Sequence, residues 1–499
     1  MALHVSTALG GRSAVRSLHL GPALNYARGS IDLLRPVVVG FNAGGTPTAQ
    51  EFPLWQALVA LVFKATRSTW FGWGNLVSLV LFALGLWPFF KLARQYSDER
   101  AAWWSLAFLL AQPLIVFQAG NAGADSLCLS LTLWFLFCAD QMLRTQRAGW
   151  WAATAVFAVL SAVSKGPFMM AAGLCSIFML LLLGRGRDWL AWSQLGGTAV
   201  LAAAILLVWT HYTDSLIARA EYPYVDLRLS HSPFIRQWYF GDWHSRLTLG
   251  PWIKGGWRFL HVMLGSLPLA ALLIVALLRP GNRLPKLWLV ATALTTLVFS
   301  NLVLVHTHYY LMCSPAVAIL CGATLARWEE FGAREIPSGS LRLALAALVL
   351  VFGALDGLIA MKVVNDYDPF SHNIARVIHD HTGPADKLII YGEGQWGGEV
   401  LIPAGRDGLS VFSLDHRPEM PTVKGLGELL ENDVALRRLK ELGYTKLVLL
   451  SESPVRFAIS AVNPGSKRTR VYYPPSVSAK VDAWPVSYRS EDVLIKDIP

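Results

Sequence analysis

Between Trp150 and Arg187 the chain reads WWAATAVFAVLSAVSKGPFMMAAGLCSIFMLLLLGRGR. Two apolar runs, Trp150–Val163 and Pro167–Leu183, flank a lysine followed by Gly-Pro. Crossing the hydrocarbon of a bilayer takes about 20 mainly apolar residues as helix, and runs of this composition are read as spans. Arg144 and Arg147 precede the first run and Arg185 and Arg187 follow the second, whereas the turn between them holds only Lys165. The stretch is therefore a transmembrane hairpin with both Arg-rich ends on one side and a single cation at its tip.

The rest of the chain repeats this pattern. Of 499 residues, 54% are hydrophobic and 15% charged, with a mean hydropathy of +0.43, which a soluble domain with a polar surface does not accommodate. Eight further runs read as spans: Trp73–Phe90, Ala102–Phe117, Ala124–Leu143, Ser193–Trp209, Trp257–Leu278, Leu287–Val305, Tyr309–Ala326 and Leu341–Met361. Alternate short loops carry the Lys and Arg residues, among them Lys91, Arg94, Arg100, Arg279, Arg283, Lys286 and Arg327, and this asymmetry makes them cytoplasmic. The turns near Gly120, Lys165 and His306–His308 then face outward, as do the Thr210–Gly256 loop and everything after Lys362. The net charge of +10 comes from this topology; no basic stripe with interleaved stacking aromatics is present, so nucleic acid is not a partner. Cys128, Cys138, Cys175, Cys313 and Cys321 all lie in apolar runs without a C-x-x-C pair, and read as lipid-facing or packing residues.

Three regions follow. Residues 1–71 form an outer-side segment in which an apolar stretch of about 12 residues after Glu51, FPLWQALVALVF, lies along the interface. Residues 72–361 form a domain of about ten spanning helices. Residues 362–499 read as a soluble α/β domain: HNIARVIHDHT and ENDVALRRLKELG have helical periodicity, and KLIIYGE and KLVLLSE read as parallel strands. The fold class is a polytopic α-helical membrane protein with a C-terminal α/β domain.

Ionisable groups at membrane depth are costly, so those that persist are candidates for function. Here they gather on the outward side. Asp125 opens a span in NAGADSLCLSL, Lys165 sits at the hairpin tip, and HTHYYLM brings His306, His308, Tyr309 and Tyr310. Asp125 reads either as a helix cap or as a catalytic or metal-related carboxylate. Lys165 reads as a snorkelling lysine or, being alone on the side poor in positive charge, as an anion ligand. Glu51 reads as a solvated loop residue or a site carboxylate, and Asp356, inside the last run, has no role.

The order of EFPLWQALVALVFK, AGADSLCLSLTLWFL, SKGP and HTHYYLMCSPAVAIL resembles the GT-C superfamily of polytopic glycosyltransferases, in particular bacterial relatives of the protein O-mannosyltransferases and the lipid A aminoarabinose transferase. The resemblance covers about Leu24 to Ala326. It implies an inverting transfer of sugar from a polyprenyl-phosphate donor to a glycan, lipid or protein acceptor at the outer face of a bacterial cytoplasmic membrane. It matches Lys165 to a phosphate-contacting lysine and likens the His308-Tyr309 turn to the lining of the donor site, while Glu51 and Asp125 are this chain's own candidates for the catalytic carboxylates, Glu51 standing where some relatives carry a lysine. A divalent metal ion is an open cofactor, since some members use one and no cluster compels it. The family's usual base, an acidic residue after the first helix, is expected upstream of LGPALNYARGSIDLLRP, and residues 1–19 contain neither that helix nor that acid. Either the chain begins later than its relatives, or Glu51 and Asp125 have taken the base's place. The rival classes are a transporter or flippase, which predicts charges through the membrane depth and paired broken helices, and a degenerate, non-catalytic relative.

Overall fold

In the computed structural model the described residues are 13–39, 51–219, 228–335, 369–391, 400–411, 433–453, 469–470 and 475–499, with isolated positions between 344 and 355. The predicted Leu341–Met361 run and Asp356 lie essentially outside them. The chain divides into two compact units, one drawn from Met1–His4, Asn75–Trp209 and Gln237–Lys362, the other from Val5–Gly74, Thr210–Arg236 and Val363–Pro499.

The described part of the second unit begins with α1 (Ser13–Arg28) and α2 (Leu54–Thr66). A helix at α1 was not expected from a stretch without a long apolar run; its 16 residues include Pro22, and Leu20, Ala23 and Tyr26 are buried. Partners within the unit supply what periodicity lacked. The His19 ring meets Trp55 edge-on at 5.8 Å and its Nδ1 lies 3.2 Å from Gln56 Nε2, while Lys64 Nζ donates to Gly29 O. A Cβ on Gly21 would stand 3.5 Å from Ile402 Cδ1, so α1 also touches the C-terminal domain.

In the first unit α3 (Gly72–Tyr96) precedes α4 (Glu99–Ala111) and α5 (Pro113–Ala119). The single predicted span Ala102–Phe117 is in fact α4 and α5, bent by 69°. Pro113 at the first turn of α5 has no N–H and disfavours helical geometry at Gln112, so the chain turns there. Next come α6 (Asp125–Thr145), α7 (Ala148–Ser164), α8 (Gly166–Leu182) and α9 (Trp189–Ala218). Most of the α6 span, 89%, is buried, so α6 is the centre of this helix packing rather than a lipid-facing rod. The five cysteines are free and buried, which settles them as packing residues.

The predicted loop Thr210–Gly256 is largely helical where described: α9 runs on to Ala218, and α10 (Pro233–Phe240), α11 (Trp243–Leu247) and α12 (Leu249–Phe259) follow. The predicted span Trp257–Leu278 is also broken. Helix Leu249–Leu264 meets α13 (Leu267–Leu278) at 102°, through Gly265 at φ 72° and a Pro in the first turn of α13. Then α14 (Arg283–Val298), α15 (Ser300–Val305), a 3₁₀ turn (Thr307–Met312) and α16 (Ser314–Glu335) complete the unit. Helices α4 and α16 cross so closely that a Cβ on Gly322 would lie 2.3 Å from Ser105 N, the small-residue contact that lets membrane helices approach. Three described helices, α3, α6 and α9, are long and apolar enough to span alone, and five spans result if each bent pair counts as one. The chain is a multi-pass membrane protein.

The C-terminal domain is built on a mixed sheet in the order β2-β1-β3-β7-β6, with β1 (Lys387–Tyr391), β2 (Asp407–Val411), β3 (Tyr444–Leu450), β6 (Val486–Arg489) and β7 (Val493–Asp497); β4 (Glu452–Ser453) and β5 (Thr469–Arg470) pair separately. The expected parallel pairing of KLIIYGE with KLVLLSE is present in the register Ile389 to Leu447. β7 joins β3 antiparallel and β6 closes the edge. Ile389, Leu409, Leu439, Leu447 and Trp484 form its core. Two buried cations complete helix ends: Arg406 donates to His379 O and Thr382 O, and Lys496 to Val481 O and Asp482 O.

Candidate functional site

Lys165 is the only residue between α7 and α8, and serves both. Its N–H donates to Ser161 O at 2.8 Å, ending α7, and its carbonyl accepts from Phe168 N at 3.0 Å, opening α8. Extended backbone at Lys165 (φ −155°, ψ 98°) followed by Gly166-Pro167 makes this joint possible, since Pro needs no N–H partner in a first helical turn. With its backbone satisfied in a one-residue corner, the side chain has little room to snorkel. It stays inside, 5% exposed.

Its Nζ donates to Asp125 Oδ1 at 2.5 Å, and the Asp125 side chain is 7% exposed. The carboxylate belongs to the first residue of α6; the N-cap position is Ala124, which has no side-chain acceptor, and an acid in the first turn is favoured by the helix dipole. The turn bearing Asp125 is pinned on both flanks. Ser78 Oγ from α3 donates to Gly123 O at 3.2 Å, and Ser126 Oγ donates to Gln118 O at 2.9 Å. Asn121 Nδ2 donates to Gln118 Oε1 at 3.2 Å.

The 3₁₀ turn Thr307–Met312 forms the other wall. Two contacts fix it, Trp288 Nε1 donating to Met312 O (2.9 Å) and Tyr310 Oη to Gly255 O (3.0 Å), and Gln112 Nε2 donates to Ser314 O (3.1 Å) at the start of α16 just beyond it. Tyr309 is thereby buried with its ring centroid 5.2 Å from Lys165 Nζ and 6.1 Å from the Phe168 ring. His308 lies 4.6 Å from the Tyr309 ring, His306 lies 5.2 Å from His308, and Trp238 meets His306 at 5.3 Å. A continuous line of groups thus runs from the Asp125 carboxylate through an ammonium and a phenol ring to two half-buried imidazoles.

The structure therefore brings together four of the five residues singled out from sequence, Asp125, Lys165, His308 and Tyr309. Glu51 belongs to the second unit, half-buried two residues before Pro53, which precedes α2. Sequence reasoning overlooked the role of Gln112, which joins the α4–α5 break to the first residue of α16; the signal was Gln-Pro in mid-span. Arg258, whose Nη1 donates to Leu304 O at 2.7 Å just ahead of the His306 turn, lies inside the predicted span Trp257–Leu278 and was given no role there. Among the described residues no three His, Cys, Asp or Glu side chains stand together as metal ligands.

A buried ammonium–carboxylate pair is expensive in desolvation and is a weak device for stability alone. Its chemical capacity is clear. An ammonium backed by an electron-rich ring face offers donors to an oxyanion, in surroundings of low dielectric where that charge has its full effect.

No protein-family model and no curated protein matches the chain. Solved structures do. ArnT from Cupriavidus metallidurans, solved in the apo state and bound to undecaprenyl phosphate, is similar at a TM-score of 0.60 over 97% of this chain and 93% of that one, with 15% identity. The arabinofuranosyltransferase AftD from Mycobacteria gives 0.54 at 14% identity over 99% of this chain and 41% of AftD. The Archaeoglobus fulgidus oligosaccharyltransferase, in complex with Zn and sulfate, gives 0.53 at 12% identity over 89% of this chain and 64% of that one. Identities this low speak to the fold, and the fold they share is one. The chain thus has the fold of these membrane glycosyltransferases.

Proposed function

We propose that the chain is a glycosyltransferase that takes a sugar from a polyprenyl-phosphate-linked donor and transfers it, with inversion, to a glycan, lipid or protein acceptor at the outer face of a bacterial cytoplasmic membrane, with the α/β domain on that outer side. The observation that supports this reading is the Lys165 ammonium, buried at the tip of a transmembrane hairpin and held between the Asp125 carboxylate and the Tyr309 ring. Two proteins of like fold were solved with such lipids: ArnT with undecaprenyl phosphate and the archaeal enzyme AglB with a dolichol-phosphate and an inhibitory peptide.

In such a transfer the acceptor hydroxyl oxygen forms a bond to the anomeric carbon as the bond from that carbon to the phosphate oxygen breaks. The electron pair leaves on the phosphate, where Lys165 Nζ neutralises the growing charge. Inversion places nucleophile and leaving group on opposite faces of the sugar. A base that takes the acceptor proton therefore stands across the ring from the phosphate, whereas Asp125 touches the phosphate's own cation. Asp125 is accordingly a positioning residue: it holds the ammonium in place until the donor arrives. His308 and Tyr309 line the donor side.

Glu51 is the other carboxylate proposed for catalysis. Glu51→Gln is expected to lower transfer at least about tenfold if it acts as base, and unchanged transfer removes it. The reading as a whole is tested by titrating the purified chain with undecaprenyl phosphate: the wild type binds and Lys165→Gln binds at least about tenfold more weakly, as loss of one hydrogen bond to a charged group implies. Equal binding by the two overturns it.

A further inference from the structure

Buried polar groups in folded proteins almost always have hydrogen-bond partners, and each exception asks for a reason. In the first unit, several buried hydroxyls follow one habit. Ser105, Thr132, Thr154, Thr292 and Thr295 each donate to the carbonyl four residues earlier, at 2.6 to 3.1 Å. Ser164 does not. It is 1% exposed, sits in the last turn of α7 immediately before Lys165, and its Oγ has no partner among the described residues. The same holds for Gln118 Nε2: the side chain is 1% exposed, its oxygen accepts from Asn121, its backbone carbonyl accepts from Ser126, and its N–H₂ group donates to nothing described. Among the described residues of this unit the remaining donor in this condition is Thr198 Oγ1, in α9.

The placement of the two is what carries meaning. Ser164 is the chain neighbour of the cation of the ion pair, and Gln118 is bonded to the chain neighbour of its carboxylate. α5, which bears Gln118, packs on α6 and on the 3₁₀ turn that carries Tyr309. Both orphans are hydrogen-bond donors, and so is Lys165. Unsatisfied donors borne by the segments that carry a buried ion pair are complementary to an oxyanion, which accepts several hydrogen bonds at once.

Resting on the reading of Lys165 as a phosphate ligand, we propose that Ser164 Oγ and Gln118 Nε2 are two further donors to the lipid phosphate, standing unpartnered beside Lys165 until that anion enters. They are substrate-positioning groups preorganised by the fold, and the lipid phosphate trades its hydration for them on binding.

The test uses the full chain in detergent, undecaprenyl phosphate as the probe, and the variants Ser164→Ala, Gln118→Met and Lys165→Gln, with affinity and ligand-free thermal stability both recorded. Removing a donor that has no partner in the free protein leaves ligand-free stability equal or slightly higher. The proposal therefore expects Ser164→Ala to melt no earlier than wild type, Gln118→Met to lose some stability because it also removes the acceptor of Asn121 Nδ2, and both, when folded, to bind the lipid phosphate about tenfold more weakly. Gln118→Glu, which sets a negative charge where a donor stood, weakens binding further. If Lys165→Gln loses affinity while Ser164→Ala and Gln118→Met bind as wild type, this inference falls and the phosphate role of Lys165 stands. If all three bind as wild type, both fall. Should Gln118→Met not fold, Ser164→Ala alone decides.

Discussion

Helix α6 carries a carboxylate near each end, and the two are treated differently by the fold. Asp140, three turns of helix and more from Asp125, accepts from Arg144 Nε through both oxygens at 3.0 and 2.9 Å and from Tyr96 Oη at 2.5 Å. Its cation is four residues along the same helix and 30% exposed, with the guanidinium 5.6 Å from the Tyr96 ring. Asp125 faces an ammonium 40 residues away in sequence, and both side chains are nearly inaccessible. The first is a closed network, bidentate and local, whose members satisfy one another. The second pairs a carboxylate with a point charge on a one-residue joint, with unsatisfied donors next to it. A cation that can change partners without unfolding anything suits ligand binding; a guanidinium locked by two oxygens and a phenol suits architecture.

Removing either partner of a buried pair leaves the other charge stranded, so Asp140→Ala is expected to cost about 3 kcal/mol or more of stability. Folded Asp140→Ala protein should nonetheless bind undecaprenyl phosphate as wild type does, and a matched loss of affinity would erase the contrast between the two ends. Lys165→Gln strands the Asp125 carboxylate and costs stability as well, but unlike Asp140→Ala it is expected to lower transfer on the order of a hundredfold, as loss of one preorganised transition-state donor does. Stability and sugar transfer recorded on the same preparations check both.

A double-mutant cycle sharpens the difference further. Asp125→Asn with Lys165→Gln removes both charges, and the pair of changes should be less destabilising than the sum of the two alone, by about 1 to 3 kcal/mol. Transfer stays low in the double variant even though its stability recovers. If transfer recovered too, Lys165 would be a structural residue only.

The exposed pair of the α/β domain supplies the small end of the scale. Lys446 donates to Asp497, and Ser487 Oγ donates to the same carboxylate at 2.7 Å, which holds its pKa below the ordinary value of 3.8; the Lys446 hydrogen bond is the largest cause. A carboxyl whose folded pKa is depressed adds stability that is complete above its unfolded pKa and disappears as the pH falls through the lowered folded value. Asp497→Asn should therefore narrow the difference from wild type as a melting series descends below about pH 4. With an Asp497 side chain 41% exposed, solvent screening keeps the whole effect within about 1 kcal/mol.

Much of the architecture was legible because hydropathy is a local property. The α7–Lys165–α8 hairpin, α6 beginning at Asp125 and the parallel β1–β3 pairing each follow from a single continuous run beside a turn signal. Breaks inside apolar runs were less legible: Gln112-Pro113 and Gly265-Ser266-Leu267-Pro268 contain the residues that stop helices, yet in a membrane segment Pro and Gly are also tolerated without a break. Helix α1 was missed because its stability comes from Trp55, Gln56 and the C-terminal domain, all remote in sequence. The proximity of Asp125, Lys165 and Tyr309 was inferred from loops sharing a membrane side, a constraint that gives the surface but not the pairing. The orphan donors Gln118 and Ser164 left no sequence signal at all, since a missing partner is visible only once every neighbour has been placed.

The account turns on what Lys165 holds when the lipid arrives, and a binding titration answers that most directly. Undecaprenyl phosphate titrated into the full-length wild type and into Lys165→Gln, with folding of both verified by melting, should give an affinity at least about tenfold weaker for the variant. Two superposable binding curves from two equally folded proteins would contradict it.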